Sequence, residues 1–190
     1  MAIVLASQSP RRQELLARIG VEDFKTLSLD IDESYPANLS PEDTVRFIAG
    51  KKSEAAAALC APDDLIITAD TMVFLGNDRL GKPQDEEDAF RMLRALSGER
   101  HTVCTGVSLR QGGRCESFAV STAVYFRPMT DEEIRSYIKT GEPMDKAGAY
   151  GVQSRGALFV ERIDGDFFNV MGLPVEQLGL VLARFGVKLL

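Results

Sequence analysis

Several charged residues in this chain stand where local physical chemistry disfavours them, and together they suggest phosphate chemistry. Arg11 and Arg12 follow Ser9-Pro10, a pattern that predicts a helix start with a hydroxyl cap and proline at the first helical position. Two cations there oppose the helix dipole unless an anion is bound. Free amides, the hydroxyls of Ser7 and Ser9 and two guanidinium groups make a competent phosphate site, and a solvated basic turn is the blander alternative. Lys52 falls on the apolar stripe Val45, Ile48, Ala49, Ala55, Ala56, Leu59 of a later predicted helix, whereas Lys51 points away from it. A lysine on such a stripe either snorkels out at the rim or meets an anion in a cleft, and periodicity leaves both open. Asp70 closes the apolar run Leu65–Ala69, where a strand-end carboxylate is placed for chemistry or merely starts a turn. Glu33, in the acidic loop Asp30-Ile31-Asp32-Glu33, is a weaker candidate for holding a cation.

The elements that would position these groups alternate between strand and helix. Ile3–Ala6 reads as a short strand before the helix that Gly20 ends, and Phe24–Leu29 as a second strand. Ser40-Pro41-Glu42-Asp43 opens the helix carrying Lys52. After Asp70, Met72–Leu75, a turn at Gly76-Asn77-Asp78 and a return to Leu80 form a hairpin that carries Lys82 back towards Asp70. Gly81-Lys82 is no P-loop, since no glycine-rich run precedes it and no Ser or Thr follows. Asp85 caps a helix with the stripe Ala89, Met92, Leu93, Leu96, and two long strands, His101–Arg110 and Arg114–Phe126, serve as scaffold. Thr130-Asp131-Glu132-Glu133 is a capping box whose helix stops at Gly141. The loop Glu142–Gly156, with three glycines and a lone Gln153, has little periodicity, as functional loops do. Leu158–Val160 and Phe167–Met171 read as short strands, and Gly172-Leu173-Pro174 begins a last amphipathic helix.

Bulk properties narrow the chemistry. The length of 190 residues suits one domain, with 45% hydrophobic and 26% charged residues as in ordinary globular proteins. A net charge of −6 argues against a general nucleic-acid or anionic-membrane surface. Cys60, Cys104 and Cys115 lack metal-type spacing and fit reduced thiols, and with no signal-like or spanning segment the expected location is the cytoplasm. The single histidine, His101, disfavours a histidine metal site and reads as an ordinary surface or strand residue. A metal would therefore be held by carboxylate oxygens, which points to magnesium or manganese.

Six blocks resemble the Maf family of nucleoside triphosphate pyrophosphatases in the same order: LASQSPRR (5–12), TADTMV (68–73), LGKPQD (80–85), LSGERH (96–101), EPMDKAGAYGVQ (142–153) and IDGDFFNVMGLP (163–174). The resemblance covers essentially the whole chain. It implies a single α/β domain over residues 1–190, with a large twisted mixed sheet and two lobes around a central cleft, as in inosine triphosphatase-like proteins. It also implies hydrolysis between the α- and β-phosphates of a nucleotide with a divalent cation, Mg²⁺ or Mn²⁺. Ser7, Arg12, Lys52 and Lys82 match the family's phosphate-contacting residues, and Glu33 and Asp70 its acidic, metal-associated ones. Asp70 matches the proposed proton acceptor. Arg11, Thr71 and Gln153 fall at positions tied to substrate choice and look like the branch acting on dTTP and UTP. Where the family commonly has glycine after that glutamine, this chain has Ser154.

These residues suit phosphoanhydride hydrolysis, which needs charge neutralisation, positioning and an activated water. Gln153 offers a donor and an acceptor side by side, matching the N3–H and O4 of uracil or thymine; because its amide can flip to suit cytosine, backbone groups must help to discriminate. A 7-methyl-GTP pyrophosphatase, disfavoured by Arg11 and Gln153, and a nucleotide-binding regulator of septum formation are the alternative readings. The resemblance makes a homodimer plausible.

Overall fold

A computed structural model describes every residue from Met1 to Leu190. Its seven strands form one mixed sheet: β1 (Ile3–Leu5), β2 (Phe24–Thr26), β3 (Leu65–Leu75), β4 (Asp78–Leu80), β5 (Arg100–Gln111), β6 (Arg114–Phe126) and β7 (Val160–Asp164). They lie in the order β2-β1-β3-β5-β6-β7, with β4 also paired to β3. The helices are α1 (Pro10–Arg18), α2 (Pro41–Ala57), α3 (Glu86–Leu96), α4 (Asp131–Ile138), α5 (Phe167–Met171) and α6 (Val175–Arg184). This is the α/β class with a mixed sheet that the sequence suggests.

The chain forms two compact units, the first comprising residues 1–70, 105–120 and 172–190, the second residues 71–104 and 121–171. In the first, β1 is a parallel neighbour of both β2 and β3, with Leu5 opposite Thr26 and Ile67. Leu5, Leu65 and Ile67 are fully buried, as a continuous apolar run predicts for a strand covered on both faces. Helix α2 begins where expected, the Ser40 hydroxyl accepting the Asp43 amide at 3.1 Å. It packs tightly on the sheet at Gly106 of β5: a Cβ there would lie 2.3 Å from the carbonyl carbon of Val45, so only glycine fits. The Thr68 hydroxyl of β3 donates to the Ala49 carbonyl of α2 at 2.8 Å, fixing the helix along the strand.

In the second unit β4 returns antiparallel to β3, Leu80 opposite Val73, so the predicted hairpin forms and brings Gly81 and Lys82 back along β3 towards Thr71. The Asp85 cap and the full predicted stripe of α3 are present, with Ala89, Met92, Leu93 and Leu96 buried. Thr130 and Glu133 form the capping box of α4. The stretch 142–156 contains short 3-10 turns at Glu142–Asp145 and Ala147–Ala149, and a third runs through Arg155–Phe159.

Four local expectations are corrected. The Ser9 hydroxyl makes no capping bond to α1; instead its amide donates to the Ser7 hydroxyl at 3.2 Å. Strand β2 ends at Thr26 rather than Leu29, because β1, its pairing partner, is itself only three residues long. Leu158 and Phe159 close a 3-10 turn, and β7 starts at Val160. Phe167–Met171 is helical rather than extended, since the Asp166 carboxylate accepts the Phe168 amide at 2.8 Å and starts a helical turn. Of the two placements open to His101, surface or strand, the structure shows the strand: it lies in β5, 1% exposed.

Candidate active site

In the first unit, five of the residues singled out in the sequence come together. Strand β1 stops at Leu5, the Ala6 amide makes a last bond to the Ile67 carbonyl at 2.9 Å, and the chain turns off into α1. Strand β3 runs on without β1 beside it. Asp70 is therefore not at a strand end, as the apolar run suggested, but in mid-strand, just past the point where its parallel neighbour has ended. The physical consequence is similar, because loss of a neighbour opens space beside the carboxylate.

Side chains alternate along β3, so Thr68 and Asp70 share one face and Thr71 takes the other. That shared face meets α2. With the Ala49 carbonyl fixed to Thr68, Lys52 lies about one turn further along α2, and its long side chain reaches the carboxylate of Asp70 on that same face. Lys52 accordingly donates to Asp70 Oδ1 at 2.8 Å. The same ammonium lies 2.8 Å from Glu33 Oε1. Lys52 does not snorkel; it is a shielded cation with two carboxylate partners. The side chains of Lys52 and Asp70 are 14% and 11% exposed, and that of Glu33 is 56% exposed.

Lys51, which points away from the apolar stripe, has a part in this geometry. Its ammonium donates to the Ser34 carbonyl at 3.1 Å and lies 3.6 Å from Asp32. Both lysines thus hold the acidic loop, Lys52 at Glu33 and Lys51 at the two residues flanking it, Asp32 and Ser34. No pattern within the helix marks Lys51 for that role, because its partners come from a loop far away in sequence.

Arg12 Nε donates to the Gly172 carbonyl at 2.8 Å and Nη1 to the Ser7 hydroxyl at 3.2 Å. Burial lowers the Arg12 pKa, the charges of Asp70 and Glu33 work in the opposite direction, and neighbouring Arg11 adds to the lowering. Arginine remains a cation under such pressure. Arg11 sits beside it in the first turn of α1, partly buried. The Gly172 carbonyl is a functional group that sequence reasoning missed, since a backbone acceptor 160 residues away leaves no local signal.

The donor set suits a hard divalent cation. The Glu33 and Asp70 oxygens converge on one point, marked by the Lys52 ammonium, and no group of three or more His, Cys, Asp or Glu side chains is placed to hold a metal ion. Two carboxylates fit Mg²⁺ or Mn²⁺, which take remaining ligands from water and substrate phosphates, and do not make a zinc site.

The other singled-out residues belong to the second unit. Thr71 follows Asp70 in β3 and is partly buried, while Lys82 is exposed after β4. The Gly81 carbonyl accepts the Gly148 amide at 3.0 Å, tying the Lys82 segment to the 142–156 stretch. Gln153 is exposed there between buried Val152 and the anchored residues that follow.

Comparison with known proteins bears on the fold and on the family. A solved HAM1 protein from Coxiella burnetii shares the fold, with a TM-score of 0.56 at 15% identity over 97% of this chain and 99% of that one. A Bacillus velezensis protein named dTTP/UTP pyrophosphatase is 47% identical over 98% of this chain and 97% of its own length. One of the same name from Caldicellulosiruptor saccharolyticus is 45% identical over 99% of this chain and 96% of its own. The family described as Maf-like protein matches residues 2–185, and with those full-length relatives it shows that this chain belongs to the Maf family.

Proposed function

We propose that the protein hydrolyses dTTP and UTP, and modified pyrimidine nucleoside triphosphates, to the monophosphate and pyrophosphate. The observation that carries this reading is the Lys52 ammonium held 2.8 Å from both Asp70 and Glu33, in a chain 47% identical to a protein named dTTP/UTP pyrophosphatase.

Arg12, the Ser7 hydroxyl and the amides at the start of α1 bind phosphate oxygens. Asp70 orients a water molecule and takes its proton as the water oxygen bonds to the α-phosphorus. The bond from that phosphorus to the bridging oxygen breaks, and its electron pair leaves with pyrophosphate. Lys52 offsets the charge that develops on this leaving group, a role worth about 10²–10³ in rate for a well-placed donor. Held by Asp70 and Glu33, Mg²⁺ or Mn²⁺ would supply further charge neutralisation at the phosphates. Lys82 as a phosphate contact, and Arg11, Thr71 and Gln153 in substrate choice, are assigned on the family resemblance.

The test is a turnover panel with each common nucleoside triphosphate and 7-methyl-GTP, with Mg²⁺, Mn²⁺ or chelator, quantifying pyrophosphate and orthophosphate separately. Cation-dependent pyrophosphate release, greatest for dTTP and UTP, is the expected outcome. Orthophosphate alone would refute the cleavage position, and preference for 7-methyl-GTP would refute the pyrimidine assignment.

A further inference from the structure

The loop bearing Gln153 is organised by one carboxylate to which the phosphate chemistry gives no role. Glu142 Oε1 accepts the Tyr137 hydroxyl at 2.8 Å, the Ser154 hydroxyl at 2.6 Å and the Gly156 amide at 3.2 Å. Its Oε2 accepts the Arg155 amide at 3.3 Å. Burial pushes the Glu142 carboxyl up, but the hydrogen bonds from Ser154, Tyr137 and the two amides outweigh it and leave it below its ordinary value. The Tyr137 hydroxyl in turn accepts the Gly151 amide at 3.1 Å. Residue 151 before Gln153 and residues 154, 155 and 156 after it are therefore all tied to the Tyr137–Glu142 pair. Gly156 packs so closely that a Cβ would lie 2.8 Å from the Tyr137 oxygen.

A loop whose exposed side chain is flanked on both sides by bonds to a shared anchor loses little conformational entropy when that side chain engages a ligand. The Ser154–Glu142 bond is the contact nearest to Gln153 and is charge-assisted, hence stronger than a neutral one. It also supplies a tether that a glycine after Gln153 could not.

We infer that Glu142 and Ser154 are positioning residues for Gln153, acting on discrimination of the base and not on phosphate chemistry. This rests on the reading of Gln153 as a base-contacting residue. With Ser154 anchored, the backbone carrying Gln153 is fixed and its amide meets the N3–H and O4 of uracil or thymine from one position; released, the residue loses more entropy on engaging them and discriminates less against cytosine.

The experiment compares Ser154→Ala, Ser154→Thr, Glu142→Gln and Gln153→Ala, measuring KM and kcat for UTP and CTP, inhibition by inorganic pyrophosphate, and Tm. Ser154→Ala and Glu142→Gln are expected to narrow the UTP-to-CTP ratio of kcat/KM by roughly tenfold, the equivalent of one lost charge-assisted bond. The effect falls on KM for UTP, the pyrophosphate inhibition constant stays at its wild-type value because that ligand has no base, and Ser154→Thr retains the ratio. If Gln153→Ala abolishes the preference while Ser154→Ala and Glu142→Gln leave it intact, the positioning role is overturned and the Gln153 reading stands. If Gln153→Ala itself leaves the preference unchanged, both are overturned. A parallel loss of pyrophosphate affinity and Tm in Ser154→Ala marks a merely structural bond and also overturns the inference.

Discussion

Replacing Lys52 by Met keeps the apolar stem and removes only the ammonium, which isolates the electrostatics of the site. Asp70 would then be left 11% exposed without the cation 2.8 Å from it. Breaking a fully buried pair in this way costs about 3–5 kcal/mol. Here the carboxylate keeps some access to water, and the positive charge of Arg12 acts on it too. The bond to Glu33, whose side chain is 56% exposed, is screened by solvent and adds only a few tenths of a kcal/mol. The expected loss is about 2–3 kcal/mol, or a Tm lower by roughly 4–12 °C for a chain of this size. Urea unfolding in the presence of chelator measures it, so that no metal ion substitutes for the ammonium. Asp70→Asn alone costs less, about 1 kcal/mol, since Lys52 keeps Glu33 and water as partners. The double variant recovers most of the Lys52→Met loss, because the stranded charge is gone. A Lys52→Met protein as stable as wild type, or a double variant no better than Lys52→Met, would refute the claim that this ammonium is a shielded counter-ion.

Two further predictions concern the scaffold. Gly106→Ala drives a methyl group to 2.3 Å from the Val45 backbone, so α2 must shift; stability falls by about 1–3 kcal/mol and nucleotide turnover falls with it, as thermal melts and kinetics will show. His101 contacts Phe126 edge-on, with Nε2 2.8 Å from the Tyr150 hydroxyl and Nδ1 unpartnered, and burial pushes its pKa down from 6.5 to about 4. The unfolded chain therefore binds one more proton than the folded one between these values, so this contribution is complete above pH 6.5 and lost as pH falls through about 4. The loss is about 3 kcal/mol, visible in urea melts as a slope that His101→Gln removes; an unchanged slope in that variant would overturn the assignment.

Much of the scaffold was legible because it depends on neighbours in sequence. The caps at Ser40, Asp85 and Thr130 each bond an amide three residues on, within reach of local chemistry. The Phe167–Met171 error shows the limit of composition: aromatic and β-branched residues favour a strand, but a single Asp166 side chain on a downstream amide selects a helical turn. The apolar run that stops at Asp70 suggests a strand end there, whereas the strand continues to Leu75 and it is β1 that ends. Which neighbour a strand loses, and where, is a tertiary fact with no counterpart in the strand's own residues.

The site was legible for a different reason, namely that its residues contradict their local surroundings. Lys52 conflicts with an apolar stripe, and two arginines at the start of α1 conflict with its dipole. The structure resolves the lysine conflict with Asp70, 18 residues away. It directs Arg12 to the Gly172 carbonyl and to the field of Asp70 and Glu33. Lys51 and Glu142 escaped notice because nothing around them is violated: one is an ordinary surface position on a helix, the other a charge in a polar loop. Local inconsistency thus exposes the residues to which the proposed mechanism gives the phosphate chemistry. It does not expose the groups that hold a neighbour in place: the Gly172 carbonyl on Arg12, Lys51 on the acidic loop and Glu142 on the stretch bearing Gln153 show only in the contacts of the folded chain.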